Sequence, residues 1–398
     1  MSAVKPARSP AAGAADPLSR DAVIGLLCDL IRIPSVNPAI APDEAHTEQA
    51  IAEFACEWLN ARGVRAWLEE AAPGRPNVVA EVGRAEDEGA TLVVYGHLDV
   101  VGTAGMTIPP FEPREENGRV YGRGSYDMKG GVAACMSAAA ALAREDFGGR
   151  VLLALVADEE YESIGAADFV RRHRADGCVI TESSHGQLIV AHKGFIWAEI
   201  VTHGRAVHGS RFDLGHSAIA RMGRIIAALD RFDSEVLRKR EAPLVGPASM
   251  HPALVKGGVG ISTYAPSCTL QVERRTLPGE TAEQVRTEFE RVIRDAGEEA
   301  DVTLRTVRGP MLPRPDAPVT RATIDAITAV TGSAPDLAGA PYWMDSAIFA
   351  DAGIPSVNYG PTGAGAHEAV EWVDAASVVT CARVLAETAR RFAQVART

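Results

Sequence analysis

The chain has 398 residues, 46% of them hydrophobic, and this length exceeds one ordinary core and predicts two or three domains. Its 40 Lys plus Arg stand against 52 Asp plus Glu, a formal net charge of -12 without a basic stripe, which excludes a nucleic-acid-binding protein. No uncharged apolar run reaches the roughly eighteen residues that cross a bilayer, so the sequence excludes a membrane span. Six widely separated cysteines without a CxxC pair are typical of buried thiols in a reducing compartment and predict a cytoplasmic protein.

The first half of the chain predicts strands that alternate with helices. Residues 1–19 are rich in Ala, Pro and Ser, have no signal-peptide core and predict a mobile leader. Apolar side chains share one helical face over 43–60, strands are predicted at 78–82, 92–95 and 151–156, and an Ala-rich helix at 128–143. Buried strands in this alternation favour an α/β fold with a mostly parallel mixed sheet flanked by helices.

The pattern changes near residue 194. Strands are predicted at 195–202, around 255, at 270–273 and at 302–307, with helices at 217–229 and 281–296. This order fits an α+β unit whose helices cover one face of an antiparallel sheet. After residue 315 the α/β pattern returns, with helices at 319–331 and 375–391. We therefore predict an inserted domain over 194–307, between the segments 20–193 and 308–398 of one larger domain.

The motif YGHLDV places His97 and Asp99 at the end of an apolar run. Two residues apart on an extended chain, both side chains point to the same side, so one can bind a metal ion while the other orients it. Polar groups in an ordinary loop would look the same at a strand end. The motif alone leaves both interpretations open.

The glycine-rich motif GRGSYDMKGG places Asp127 at a predicted strand-to-helix junction. Glycines let the backbone approach a bound group closely, but a tight turn followed by a capped helix gives the same pattern. The GxG is not followed by a second phosphate fingerprint or by a lysine at Walker spacing, which disfavours a phosphate-binding loop.

Three consecutive carboxylates, Asp158, Glu159 and Glu160, follow the apolar run LLALVA. Their mutual repulsion indicates either a solvated acidic loop or a bound cation. Adjacent carboxylates also permit a division of roles, in which one binds metal and its neighbour takes a proton from bound water. Glu182 ends another short apolar stretch and is uninformative by itself.

Taken together, these motifs resemble those of the zinc-dependent amidohydrolase family that contains acetylornithine deacetylase, succinyl-diaminopimelate desuccinylase, aminoacylase and glutamate carboxypeptidase. HxD, GRGxxDMKGG, DEE, a single downstream acid and a late GxxH occur in the family's order and at its usual spacing. The resemblance covers nearly the whole chain beyond the leader. It implies a zinc-peptidase-like catalytic domain with an inserted ferredoxin-like lid that also forms a homodimer.

The resemblance also implies a site for two divalent metal ions bridged by Asp127. The implied ligands are two histidines and three acids: His97, Asp127, Glu160, Glu182 and His367. Asp99 would orient His97 through a hydrogen bond, and Glu159 would act as general base. Zinc is the expected metal, and the same ligands accept cobalt or manganese. The HEAVE segment at His367 lacks the second histidine of an HExxH zinc helix.

Other family features fall in the predicted lid and near the end of the chain. His208, in HGRAVHGS, resembles a lid histidine that reaches a partner subunit's site and stabilises the oxyanion. Arg275, in ERRTLPGE, resembles an arginine that binds a substrate carboxylate, although an ordinary strand arginine fits equally well. Gly360 is a further candidate substrate contact, with a flexible loop as the alternative. Ser262 and Ser217 stand where many relatives carry asparagine, which leaves the substrate contacts open.

These features predict hydrolysis of the amide bond of an N-acyl amino acid, by a water shared between two metal ions and deprotonated by Glu159. A dipeptidase or a glutamate-releasing carboxypeptidase, acting on a short peptide, is the alternative with the same fold. A binding protein that keeps the architecture without turnover is a third hypothesis, and the intact Glu159 disfavours it. Phosphoester hydrolysis would require basic residues around the metals, and the matched segments provide few.

Overall fold

The computed structural model describes residues 16–44, 46–83 and 90–395. They form two compact units: the first comprises the chain up to Ile189, Arg314–Asp336 and the chain from Ile348, and the second comprises Val190–Pro313 and Leu337–Ala347. The predicted leader, 1–19, lies outside the described residues except for 16–19. The domain boundaries given above remain predictions.

The helices, in chain order, are α1 (Arg20–Arg32), α2 (Gln49–Asn60), α3 (Gly130–Leu142), α4 (Ile164–Arg172), α5 (Ala218–Glu235), α6 (Ala282–Asp295), α7 (Pro318–Thr331), α8 (Ser346–Asp351) and α9 (Ala375–Val395). The helix predicted at 43–60 begins only at Gln49, because Pro42–Glu44 form a separate 3-10 turn. Within the part of the chain that the structure describes, no helix has both the length and the apolar character needed to cross a membrane.

The strands are β1 (Arg65–Ala72), β2 (Arg75–Gly83), β3 (Thr91–His97), β4 (Arg114–Glu116), β5 (Arg119–Tyr121), β6 (Arg150–Val156), β7 (Gly177–Ile180), β8 (Leu188–His192), β9 (Gly194–His203), β10 (Glu241–Ala242), β11 (Gly246–Pro247), β12 (Ser249–Gly257), β13 (Ser267–Thr276), β14 (Asp301–Arg308), β15 (Leu337–Ala340), β16 (Ser356–Asn358), β17 (Gly363–Ala364) and β18 (Trp372–Asp374).

The main sheet of the first unit has the strand order β1-β2-β6-β3-β7-β16-β8. Its central strands β6, β3, β7 and β16 are parallel, whereas β1 and β2 on one side and β8 on the other pair antiparallel. All seven residues of β3 and all four of β7 are buried, as expected for strands covered on both faces. The predicted α/β fold with a mostly parallel mixed sheet flanked by helices is confirmed.

Helix α3 is the most deeply buried helix of the first unit and follows directly on the GRGSYDMKGG motif. It packs against β3, α1 and α9. Nearly all of its residues, most of them Ala and Gly, are buried, because small side chains let neighbouring elements approach closely. The start of α3, next to Asp127, is therefore fixed from several directions.

The second unit has the element order β9-α5-β12-β13-α6-β14, which is the ferredoxin-like βαββαβ arrangement. Its strands form an antiparallel sheet in the order β12-β13-β9-β14, and α5 and α6 pack against the sheet and each other. Burial alternates along β9 and β13, as expected when only one face is covered. Thr281 caps α6 with a capping box to Gln284.

His192 ends β8 and is fully buried in the second unit. Its Nε2 lies 2.9 Å from Ser346 Oγ, and its Nδ1 lies 2.9 Å from the Lys193 carbonyl. Burial lowers the pKa of His192 from 6.5 to about 4. The unfolded chain therefore takes up a proton near pH 6.5 and the folded chain only near pH 4, so folding stability decreases as the pH falls through this window.

We expect the stability advantage of the wild type over His192→Gln at about pH 7.5 to shrink by about 3 kcal/mol at pH 4, at about 1.36 kcal/mol per pKa unit. Urea unfolding at several pH values measures the change. His251→Gln, which alters an exposed histidine of the same unit, is the control. A difference that stays constant between pH 6.5 and 4 would contradict the neutral state of buried His192.

Candidate metal centre

Three of the predicted site residues lie at the carboxyl ends of three adjacent parallel strands, β6, β3 and β7. Glu159 follows β6, His97 is the last residue of β3, and Glu182 follows β7. Carboxyl ends of parallel strands meet at one edge of a sheet, where α/β proteins bind their ligands. The backbone therefore brings together side chains that are far apart in sequence.

His97 is completely buried and is oriented by Asp99. Its Nδ1 lies 2.9 Å from the Asp99 carbonyl and 3.4 Å from the Asp99 carboxylate. A neutral imidazole that donates from Nδ1 has its lone pair on Nε2, which is the arrangement of a metal-binding histidine. Asp99 also accepts the backbone N–H groups of Glu159 and Glu160, at 3.1 and 3.2 Å. One carboxylate thus fixes both a histidine and the loop that carries the paired acids.

Asp127 lies in the turn before α3, and each of its carboxylate oxygens faces a different histidine. Oδ1 is 3.3 Å from His97 Nε2, and Oδ2 is 3.3 Å from His367 Nε2. Glu182 Oε1 is 3.2 Å from His97 Nε2, and Glu160 Oε2 is 3.1 Å from His367 Nε2. These five side chains form two overlapping sets of ligand atoms that share Asp127.

Two groups of three side chains have ligand atoms that all lie within 4.8 Å of one another: His97, Glu159 and Glu182, and His97, Asp127 and Glu160. Glu159 belongs to the first group, with its Oε2 4.0 Å from His97 Nε2. The geometry therefore allows Glu159 to act either as a ligand or as a base beside the ligands. Substitution of Glu159 distinguishes these roles.

The charges of this cluster fit a bound cation. Burial, reinforced by the neighbouring Asp127, raises the pKa of Glu160 to about 7, and burial also raises the pKa of Glu182. Hydrogen bonds to Asp127 and Glu160 raise the pKa of His367 to about 10. Glu160 Oε1 is buried without a hydrogen-bond partner among the described residues. Buried carboxylates gathered around two imidazole nitrogens are the donor set that suits a divalent transition metal.

A protein-family model described as Peptidase family M20/M25/M40 matches residues 93–391. The chain belongs to this peptidase family. It is a metal-dependent hydrolase of amide or peptide bonds, and the resemblance inferred from its motifs is confirmed.

Two curated relatives of this M20/M25/M40 family member match most of its length. An acetylornithine deacetylase from Myxococcus xanthus is 29% identical, over 85% of this chain and 91% of that protein. A succinyl-diaminopimelate desuccinylase from Methylobacterium radiotolerans is 32% identical, over 92% of this chain and 95% of that protein. Among solved structures, aminopeptidase PepT from Bacillus cereus has a TM-score of 0.77 at 18% identity, covering 95% of this chain and 100% of that chain. This last similarity shows the fold alone.

Gly360 supports the loop that carries Glu182. A Cβ atom at this position would lie 2.2 Å from the Glu182 carbonyl oxygen, so the close approach of the two backbones requires glycine. The backbone N–H of Gly360 donates to Ser184 Oγ at 3.0 Å. Its role as a substrate contact stays a prediction.

The two remaining predicted site residues of this family member, His208 and Arg275, belong to the second unit. His208 is exposed, with its Nδ1 2.8 Å from Ser210 Oγ. Arg275 on β13 forms a 2.8 Å ion pair with Glu273 of the same strand and lies over the Phe195 ring at 5.4 Å. Ser217 caps α5 through a bond from the Ala220 N–H, which gives this departure from the family pattern a structural role.

Sequence reasoning missed a buried amide that links two acids of the site. Asn37 Nδ2 donates to Asp99 Oδ2 at 2.8 Å and to Asp158 Oδ1 at 2.9 Å. Arg75 Nη2 also donates to Asp158, at 3.0 Å, and the same guanidinium pairs with Glu48. Asp158 has a φ of 68°, in the left-handed region, so these contacts hold the DEE loop in a conformation that is uncommon outside glycine.

Little in the sequence would have revealed these residues. Asn37 lies before a proline in PSVNP, which by itself predicts a turn. Arg75 is the first residue of β2, directly after a two-residue turn, where an arginine is unremarkable. Their roles depend on contacts with Asp158, 121 and 83 residues away.

Proposed function

We propose that this chain hydrolyses the amide bond of an N-acyl amino acid with two divalent metal ions, zinc being the expected ion. The observation that carries this proposal is Asp127, whose two oxygens lie at 3.3 Å from two different histidines. Glu182 and Glu160 complete the two sets of ligands. Cobalt and manganese are further candidates for the same oxygen and nitrogen donors.

Glu159 is the proposed general base. When bound, divalent ions supply Lewis-acid polarisation of the scissile carbonyl and lower the pKa of a water molecule. The backbone N–H of Glu159 is held by Asp99, which directs the Glu159 side chain toward the strand ends where His97 lies. Its carboxylate takes the proton of the attacking water and returns it to the leaving amine. Glu160, by contrast, is engaged by His367.

The assignment of substrate class is supported by the curated relatives, which are named as a deacetylase and a desuccinylase. His208 is the proposed donor to the oxyanion, supplied by a second copy of the chain, with its ring oriented by Ser210. Arg275 is the proposed partner of the substrate carboxylate. This role requires the guanidinium to exchange or share its ion pair with Glu273.

A homodimer formed through the second unit is part of the proposal. The edge strand β12 exposes Leu254 and Val255, which are 66% and 60% exposed, and an apolar edge strand favours pairing with another chain. Light scattering of the wild type and of a Leu254→Lys, Val255→Lys variant tests this surface; a wild-type monomer contradicts it.

All six cysteines are free thiols, which supports the proposed cytoplasmic location.

The substrate proposal is tested by initial rates of the zinc-loaded protein on N-acetyl and N-succinyl amino acids and on dipeptides. We expect kcat/KM for the preferred N-acyl amino acid to exceed that for any dipeptide by at least about tenfold, because contacts to the acyl group discriminate in the transition state. Faster cleavage of dipeptides would indicate that the protein is a dipeptidase and not a deacylase. Release of glutamate would indicate a carboxypeptidase. No turnover by metal-loaded protein would instead favour a binding protein.

A further inference from the structure

Glu371 lies four residues after His367 and joins two segments that are far apart in sequence. β18, which begins at Trp372, pairs antiparallel with β5, with Trp372 opposite Tyr121. The N–H of Gly122 donates to the Glu371 carbonyl at 3.2 Å, which extends this ladder by one step. After Gly122 the chain forms the 123–127 turn that leads to Asp127. The Glu371 side chain projects into this turn.

The Glu371 carboxylate is completely buried and accepts four hydrogen bonds. Its Oε1 accepts the backbone N–H groups of Tyr126 and Asp127, at 2.9 and 3.0 Å. Its Oε2 accepts the backbone N–H of Gly124 at 2.9 Å and Nη1 of Arg123 at 2.8 Å. Three of the four donors are backbone groups of one short turn, so this carboxylate fills the concave side of that turn.

Arg123 completes the arrangement from the other side. It is 2% exposed, and its Nη2 donates to the Glu368 carbonyl at 3.2 Å. One guanidinium therefore contacts both the carboxylate of Glu371 and the backbone next to His367. Gly124 has a φ of 78°, and a Cβ atom there would lie 2.6 Å from Val100 Cγ1, so the turn also requires glycine.

We infer that Glu371 is a positioning residue for the metal centre: it holds the 123–127 turn so that Asp127 presents one oxygen toward His97 and the other toward His367. This inference rests on the proposed function. Each Glu371 oxygen already accepts two hydrogen bonds from the turn, so Glu371 does not itself bind a metal ion. It acts through the position of Asp127. Without this carboxylate, three N–H groups would converge on a buried space without an acceptor, and the turn would relax. Because the same segment carries His367, Glu371 also fixes the separation of Asp127 and His367.

The test compares Glu371→Gln with Glu368→Gln, which removes the charge of an exposed side chain in the same segment. Metal-free full-length protein is titrated with Co(II). The heat of binding and the visible absorption bands of the bound ion are measured during the titration. In Glu371→Gln the amide group of Gln faces N–H donors, so we expect Co(II) affinity to fall about 10- to 100-fold and the bands to shift. Glu368→Gln is expected to stay within about twofold of the wild type.

The outcomes separate the inference from the proposed function. A wild type that takes up no Co(II) overturns the proposed function. A wild type and Glu371→Gln with equal affinity and identical bands overturn only the positioning role. We expect the circular dichroism spectrum of Glu371→Gln to stay close to that of the wild type while its Co(II) affinity falls.

If Glu371→Gln does not fold, hydrogen exchange of the wild type decides. We expect the amides of Gly124, Tyr126 and Asp127 to be protected equally, within about threefold, with and without Co(II), because their acceptor is a side chain of the protein. Loss of this protection on metal removal would mean that the ions shape the turn, and the inference would be wrong.

Discussion

Glu159→Gln is expected to lower kcat by about 10²- to 10⁴-fold while the protein keeps its full complement of metal, because a positioned general base contributes about this factor. The Glu159 side chain lies beside the proposed ligands, with Oε2 4.0 Å from His97 Nε2. Its backbone N–H is held by Asp99, so the loop keeps its position when the carboxylate becomes an amide. The variant loses the group that accepts the proton of the attacking water.

Metal analysis and steady-state kinetics of the same samples test this role. Glu162→Gln, an exposed acid of the same loop, is the matched control and should keep wild-type kcat. If Glu159→Gln loses a metal ion, Glu159 is a ligand together with His97 and Glu182, as their mutual distances also permit. If kcat is unchanged, the general-base role is wrong.

Asp127→Asn is expected to remove most of the bound metal and to reduce kcat/KM by about 10³-fold or more. Asp127 is the one side chain of the cluster whose two oxygens face two histidines, so both sets of ligands lose a negative charge. Metal ions supply several kcal/mol of transition-state stabilisation, and each 1.36 kcal/mol corresponds to about tenfold in rate. The amide keeps the shape and the backbone N–H that binds Glu371, so the turn should remain folded.

Metal content per chain, kcat/KM and the melting temperature measure this prediction. Asp43→Asn, at an exposed acid outside the cluster, should change none of them. Retention of two metal equivalents by Asp127→Asn would show that Asp127 does not bridge the ions.

The sequence could place three of the candidate site residues at one edge of the sheet because they follow strands that it marks clearly. β3 and β6 are continuous apolar runs, and each is followed by polar residues at the edge where parallel strands end. His97, Glu159 and Glu182 are brought together by this topology. Asp127 and His367 are outside these strands, and only the resemblance to a family linked them to the site.

Other parts of the structure carry no comparable signal. β1 is half exposed, with no buried run or clear alternation, because it lies at the edge of the sheet. β18 has three residues, too few for a periodic pattern. Asn37, Arg75 and Glu371 act through contacts with residues 27 to 248 positions away, and nothing in their local sequence indicates such partners. The HEAVE segment contains Glu371, but the spacing of its residues carries no signal for a role of this second acid.

Metal content measured together with activity is the most direct test of a two-metal hydrolase. The full-length protein should bind two equivalents of transition metal per chain, lose hydrolysis of N-acyl amino acids after chelation and regain it on addition of zinc or cobalt. A protein without bound transition metal, whose activity is neither restored nor created by either ion, would contradict this function.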